Sequence, residues 1–299
     1  MVYDNIDIDS IAYNELKSGS YLWWNNIIND NELYVKIGKN NYINIYYNGG
    51  ALVRNLKWNK SFTGEIHKKY AMVDEVDIDY SKGYYKLHLH KDNISYNYDF
   101  NYVKDNLIHF NNLNKDSLLL FKNNINLYFK KIKETEIQYR YANLDQYIID
   151  AELLFYYSTQ IDLIRIDKSC KKIVTIEVKR IDDGRWNDIN KEMVPQLENY
   201  YKGNIEYKKE LLIGIAKVLK IKQNLGIFKD TTFSINEYTI EPYPLLLIVR
   251  SNEEKMNEHL SKYYSQLEKH IYGIIYTNKY INLDLMPRFK NNKIYSEFE

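Results

Sequence analysis

Residues 160–179 read QIDLIRIDKSCKKIVTIEVK. Two runs rich in Ile, Val and Leu, 161–167 and 172–179, flank the polar Lys168, Ser169, Cys170 and Lys171. Alternating apolar runs around so short a polar break predict a β-hairpin with a four-residue loop that pairs Asp167 with Lys172. Antiparallel pairing outward from there sets Asp162 opposite Glu177. Side chains alternate with period two, so Lys179 falls on the face of Glu177. Two carboxylates and an ammonium converge on one patch. A slip of one residue would turn one strand's groups to the other face, so the prediction hangs on that register.

Like charges facing each other across strands are costly unless something neutralises them. A hard divalent cation is the natural partner. Carboxylate oxygens, with remaining positions left to water and a phosphate oxygen, suit Mg²⁺ or Mn²⁺ better than zinc. Such an ion would bind a scissile phosphate, lower the pKa of a bound water and stabilise transition-state charge. Lys179 is then placed to orient or help deprotonate that water, or to offset developing negative charge.

With Asp162, Glu177 and Lys179 in this order on neighbouring strands, the chain resembles the PD-(D/E)XK nuclease superfamily. A second element carries the resemblance: Gln196 and Tyr200, in PQLENYY, match the Gln-x-x-x-Tyr signature of its exonuclease-like branch. Four residues apart on a helix, the two share a face and can reach one substrate backbone. The resemblance covers residues 115–290 and departs at one place, where Thr159, Gln160 and Ile161 stand instead of a proline before Asp162. It implies a restriction-endonuclease-like α/β core, a mixed central sheet flanked by helices. It also implies Asp162, Glu177 and Val178 as metal ligands, Lys179 as catalytic partner, and Gln196, Tyr200 and Arg185 as substrate contacts. Related folds bring an acidic residue from a preceding helix toward the metal; here Glu134 and Glu136 are available, and Glu136 is favoured.

Each motif has a plainer reading. Glu-x-Lys means little by itself in a chain with 41 Lys plus Arg and 40 Asp plus Glu, where solvated strand faces carry such pairs. Gln-x-x-x-Tyr means less among 31 tyrosines. The conjunction, in order and within a short span, is what points to a site.

Composition sets the bounds. With 299 residues, 45% of them hydrophobic, the chain is long enough for one large or two ordinary folded domains. No run of about eighteen apolar residues occurs, and MVYDNIDIDS at the N-terminus lacks the regions of a signal peptide, so a cytoplasmic protein with no membrane partner is expected. The single cysteine, Cys170, excludes an internal disulfide and a cysteine-based metal cluster. A net charge of +1 gives no global sign of nucleic-acid binding. Locally, Lys171, Lys172, Lys179, Arg180 and Arg185 gather around the proposed centre, and Lys202, Lys208 and Lys209 follow the Gln-Tyr helix, as a phosphate backbone would require.

The pattern along the chain predicts a smaller β-rich module over 1–105 followed by the α/β nuclease-like domain over 106–299. After a helical entry containing Leu22, Trp23 and Trp24, runs 32–37, 42–47 and 51–58 alternate like strands, with turn residues at 38–41 and 48–50; two further strands are expected at 84–90 and 94–100. His88 and His90 share a strand face, but no third ligand is near and metal binding there is not expected. Apolar spacing over 115–133 predicts an amphipathic helix whose end carries Glu134 and Glu136. Residues 147–157 read as the first core strand, in which Glu152 either faces the site or pairs with a cation. Pro195 fits the first turn of a helix over 196–202 with Gly203 as its stop. Further strands are expected at 210–216, 243–250 and 271–276, with a helix over 252–269 and a long polar connection over 217–242. Trp186 stacks on a base or, more conservatively, covers the core.

The expectation is therefore an Mg²⁺- or Mn²⁺-dependent hydrolase of phosphodiester bonds, acting on nucleic acid, DNA before RNA, in defence or DNA processing. Homodimerisation is left open. The rivals are a non-catalytic nucleic-acid-binding protein on the same fold and a ligand sensor gated by its N-terminal module.

Overall fold

The structure, a computed structural model, describes residues 3, 5–67, 70, 84–89, 115–128, 134–154, 160–280, 283 and 294–298. It is a mixed α/β protein whose chain divides into two compact units, one of Met1–Tyr3, Arg140–Ala216 and Thr232–Glu299, the other of Asp4–Tyr139 and Lys217–Thr231. The boundary expected at 105, like His90 and the strand expected at 94–100, lies outside the described residues.

In the second unit α1 (Ile11–Lys17) and α2 (Leu22–Ile28) precede five strands: β1 (Tyr34–Ile37), β2 (Ile43–Tyr47), β3 (Gly50–Trp58), β4 (Phe62–His67) and β5 (Tyr84–Leu89). They form an antiparallel sheet in sequence order. The β2–β3 turn follows from its residues: Tyr47 pairs with Gly50 across Asn48 and Gly49, both at positive φ (45° and 80°), the backbone that a two-residue hairpin loop needs. The chain continues into α3 (Lys115–Tyr128) and α4 (Glu134–Leu144). Leu118, Phe121 and Ile125 are buried as their spacing predicts. Glu134 and Glu136, expected at the end of the first of these helices, instead stand in the first turn of the second, where carboxylates suit the positive end of the helix dipole.

The other unit holds a larger mixed sheet. Its strands are β6 (Ile148–Leu154), β7 (Gln160–Asp167), β8 (Lys172–Arg180), β9 (Thr239–Ile240), β10 (Leu245–Val249), β11 (Gly273–Thr277) and β12 (Ile294–Glu297). The order is β12-β11-β10-β8-β7-β6, with β9 beside β8. Strands β8, β10, β11 and β12 run parallel, whereas β7 is antiparallel to both β6 and β8. Two helices, α5 (Ile189–Glu206) and α6 (Lys208–Asn224), lie between β8 and β10 in sequence, and α7 (Glu253–Leu267) lies between β10 and β11. Among the described residues no helix is long and apolar enough to cross a membrane.

Three local expectations give way. Residues 210–216, expected as a strand for their Leu- and Ile-rich composition, are helical: Leu211, Ile215, Val218 and Leu219 are buried at helical spacing. Gly214 serves a close approach there, since a Cβ would stand 2.0 Å from a ring carbon of Tyr3. Pro195 lies inside α5, not in its first turn, and Gly203 does not end it. An interior proline forfeits a helix hydrogen bond and costs about 3 kcal/mol. Burial of Ile189, Met193, Leu197 and Tyr200 along one face of α5 offsets it.

Ile189, Met193 and Leu197 of that face pack into a core with Trp186, Leu246, Ile248, Tyr263, Leu267, Ile274 and Tyr276. Trp186 is core cover: its indole N–H donates to the Arg180 carbonyl at 2.9 Å and its ring meets His259 edge-on at 4.2 Å. His259, on α7, is buried; Nδ1 lies 2.7 Å from the Tyr276 hydroxyl and Nε2 has no hydrogen-bond partner among the described residues. Burial, with Lys262 nearby, pulls its pKa down to about 4. The folded protein therefore holds the imidazole neutral, while the unfolded chain takes up the proton from pH 6.5 downward. Stability is expected to fall between about pH 6.5 and pH 4, by roughly 3 kcal/mol at most. Urea unfolding across that range checks it, with His259→Gln expected to flatten this part of the pH dependence.

Candidate metal centre

The hairpin has the register that its loop length dictates. Asp167 pairs with Lys172, Ile166 with Ile173, Arg165 with Val174, Ile164 with Thr175 and Leu163 with Ile176. Continued one step outward, that register sets Asp162 opposite Glu177. The loop is held by Asp167, whose Oδ1 accepts from the Ser169 amide at 2.9 Å and the Ser169 hydroxyl at 2.6 Å. Cys170 is exposed at its tip.

Asp162 (6% exposed), Glu177 (0%), Lys179 (1%) and Tyr200 (0%) are all buried. A carboxylate oxygen of Asp162 lies within 4.8 Å of one of Glu177. Asp162 Oδ2 accepts the Val178 amide at 2.7 Å. The Lys179 ammonium is ion-paired to Glu177 Oε1 and lies 3.3 Å from the Val178 carbonyl. These three charged groups together carry one net negative charge. In a buried place that residue of charge favours a cation. The pair could therefore hold a metal ion, with the Val178 carbonyl adjacent as a further oxygen donor.

Tyr200 occupies a place that spacing alone did not reveal. Its hydroxyl donates to Glu177 Oε2 at 2.6 Å, has the Gln160 carbonyl at 2.9 Å, and accepts the Asp162 amide at 3.0 Å. Expected as a substrate contact, Tyr200 is placed as a buried phenol that holds a carboxylate and a strand backbone. Gln196, one turn earlier, is only half-buried.

One turn later on α5, Asn204 is buried, and its amide nitrogen reaches Thr175 Oγ1 at 2.9 Å, the Pro242 carbonyl at 3.1 Å and the Glu241 carbonyl at 3.2 Å. It ties the helix to β8 and to the approach to β10. Neither role was legible in advance, though position 204 continues the four-residue spacing of 196 and 200.

The remaining candidates are placed as follows. Arg185 forks Asp183, with Nε to Oδ1 at 2.9 Å and Nη2 to Oδ2 at 2.6 Å. Burial pushes the Asp183 carboxyl up, but hydrogen bonds from Arg185 outweigh it and hold the group below the usual carboxylate range, with Lys179 adding to the effect. Glu152 sits on the edge strand β6, where Ala151 pairs with Leu163 and Leu153 with Ile161, so the register brackets it against Asp162. It is half-buried, and its φ of 51° lies in the left-handed region, costly for a non-glycine residue within a strand. Glu136 is buried and Glu134 half-buried; both belong to the other unit. The basic residues near the centre are compensated: Lys171 pairs with Glu237, Lys172 with Glu241, Arg180 with Asp182 and Arg185 with Asp183.

Comparison of the chain with models of protein families, with curated proteins and with solved structures finds no match.

Replacing Tyr200 by Phe leaves the Asp162 amide and Glu177 Oε2 each short of a partner in a buried place, an expected loss of about 1–3 kcal/mol. Asn204→Ala should cost a similar amount by freeing α5 from β8. Urea unfolding of both variants at neutral pH measures these losses.

Proposed function

We infer that the chain is a divalent-metal-dependent nuclease of the PD-(D/E)XK type. One observation carries this reading: Asp162 and Glu177 lie side by side, buried, on adjacent strands, with the Lys179 ammonium on the same face. Mixed strand directions, with β7 and β8 antiparallel and β8 and β10 parallel, agree with a restriction-endonuclease-like core.

Asp162, Glu177 and the Val178 carbonyl would hold Mg²⁺ or Mn²⁺, which when bound supplies an activated water and offsets phosphate charge. Tyr200 orients Glu177 through Oε2, and the Val178 amide orients Asp162 through Oδ2. Each carboxylate is thus aimed by a protein donor at one oxygen. Lys179 is the cation placed to stabilise negative charge on a phosphate oxygen or to steer the attacking water. Gln196 is the residue on α5 assigned to the substrate backbone, with Arg185 as a secondary phosphate contact. DNA is favoured over RNA on the resemblance alone, and defence or DNA processing is the setting it suggests.

The compensated basic residues and the Lys179–Glu177 pair favour one alternative, a non-catalytic protein on the same scaffold. The two readings part in a cleavage assay. Purified protein with Mg²⁺ or Mn²⁺ is expected to degrade single- or double-stranded DNA, and chelation by EDTA to abolish this. Glu177→Gln, Asp162→Asn and Lys179→Met should each lower the rate by roughly 10²-fold or more, since each removes a charge that the transition state uses. If no DNA or RNA is cut with either ion, and calorimetry finds no cation binding that Glu177→Gln weakens, the nuclease reading fails.

A further inference from the structure

The five-stranded sheet carries a cavity of about 470 Å³ lined by Tyr42, Asn55, Lys57, Asn59, Thr63, Gly64 and Glu65. We propose that it binds a nucleoside monophosphate unit, with the base stacked on Tyr42, its polar edge on Asn55, Asn59 and Glu65, and its phosphate on Lys57.

The cavity is built around an irregularity of the sheet. Register shifts on both sides of β3 between residues 53 and 57 make Asn55 the extra residue of a bulge, and its φ is 53°. Bulges re-aim side chains, and backbone held in the left-handed region by a residue other than glycine is strain that needs a compensating gain. Side chains hold this one in place. The Asn44 amide oxygen takes the Asn55 backbone N–H at 2.7 Å, and Asn55 Nδ2 donates to Glu65 Oε2 at 3.1 Å. The close approach of β4 depends on Gly64, where a Cβ would meet Val53 Cγ1 at 2.9 Å. A carboxylate and an amide are thereby oriented before any ligand arrives.

Charge and shape select the ligand. Arg54 lies 3.5 Å from Glu65, and Lys57, which pairs with no carboxylate among the described residues, is exposed with its ammonium over the Tyr42 ring, 5.9 Å from the ring centre. A ligand that joins a flat aromatic ring to an anion satisfies both the ring and the ammonium. The amides of Asn55 and Asn59 present paired donors and acceptors of the kind that read base edges. A neutral sugar would make no use of the Lys57 charge. The volume lies within the range of sites for small molecules. The same chemistry is offered by a free nucleotide and by one residue of a single strand.

The test uses the full chain in EDTA, so that nothing is cleaved, and titrates AMP, GMP, CMP, UMP, a dT octamer, inorganic phosphate and maltose by calorimetry. Saturable binding of at least one mononucleotide or of the octamer is expected. Tyr42→Ala and Lys57→Gln should each weaken it by about tenfold or more, in keeping with loss of one stacking partner or one phosphate contact. Binding by mononucleotides identifies a free nucleotide as the ligand; binding by the octamer alone identifies a single strand. Lys57 is exposed, so Lys57→Gln decides the matter if Tyr42→Ala fails to fold. The proposal is overturned if no nucleotide binds at millimolar concentration, if maltose binds instead, or if Asp162→Asn abolishes nucleotide binding while Lys57→Gln leaves it unchanged.

Discussion

Antiparallel pairing of β7 with β8 through a four-residue loop is the constraint on which the centre depends. Loop length fixes which residues face each other, and period-two alternation fixes which side they occupy. A strand buried on both faces tolerates no slip without exchanging apolar and charged positions wholesale. Every residue from Ile161 to Ile166 and from Ile173 to Lys179 is buried, so the whole hairpin resists such a shift. The two carboxylates are therefore neighbours because of the chain's covalent order and the cost of breaking the ladder, before any contribution of their own.

Their own contribution to stability is unfavourable. Carboxylates removed from water lose solvation that must be replaced by donors. The structure supplies one from each direction: the Val178 amide from the strand, the Tyr200 hydroxyl from the helix and the Lys179 ammonium from the next outward position on the same face. Asn204 then secures the helix on which Tyr200 rides. Helix α5 can carry an interior proline because so much of one face is committed to this core. The polar cluster and the apolar stripe lie on the same helix, so orientation of the site and packing of the core are one problem.

The hairpin, the four α/β elements after it and most of the first sheet were legible in the sequence because each rests on local pattern. Loop residues announced the turns at 48–49 and 168–171, and alternation announced the strands around them. Errors arose where local composition and tertiary environment disagree. Residues 210–216 have the makeup of a strand, yet their burial repeats at helical spacing over a longer window. Pro195 looked like a helix start because an interior proline is disfavoured in isolation, and only the buried stripe formed with Ile189 and Met193 outweighs that. Strand β4 was missed because it contains Gly64 and a single strongly apolar pair, Phe62 and Ile66. At the site, Asp162, Glu177 and Lys179 followed from register, but the task of Tyr200 did not: a helix-to-strand hydrogen bond depends on how α5 is rotated, which the spacing of two residues leaves open.

The Lys179–Glu177 pair gives the centre a tethered counter-ion. An ammonium on the same strand, two residues away, stands at high effective concentration and is never diluted. A cation taken up at the same carboxylate oxygen would have to outcompete it, so part of that cation's intrinsic affinity would go into eviction. A monovalent ion offers no more charge than the lysine and gains little by the exchange; a divalent one doubles the charge at that spot. An internal occupant of this kind would act as a threshold that discriminates by valence.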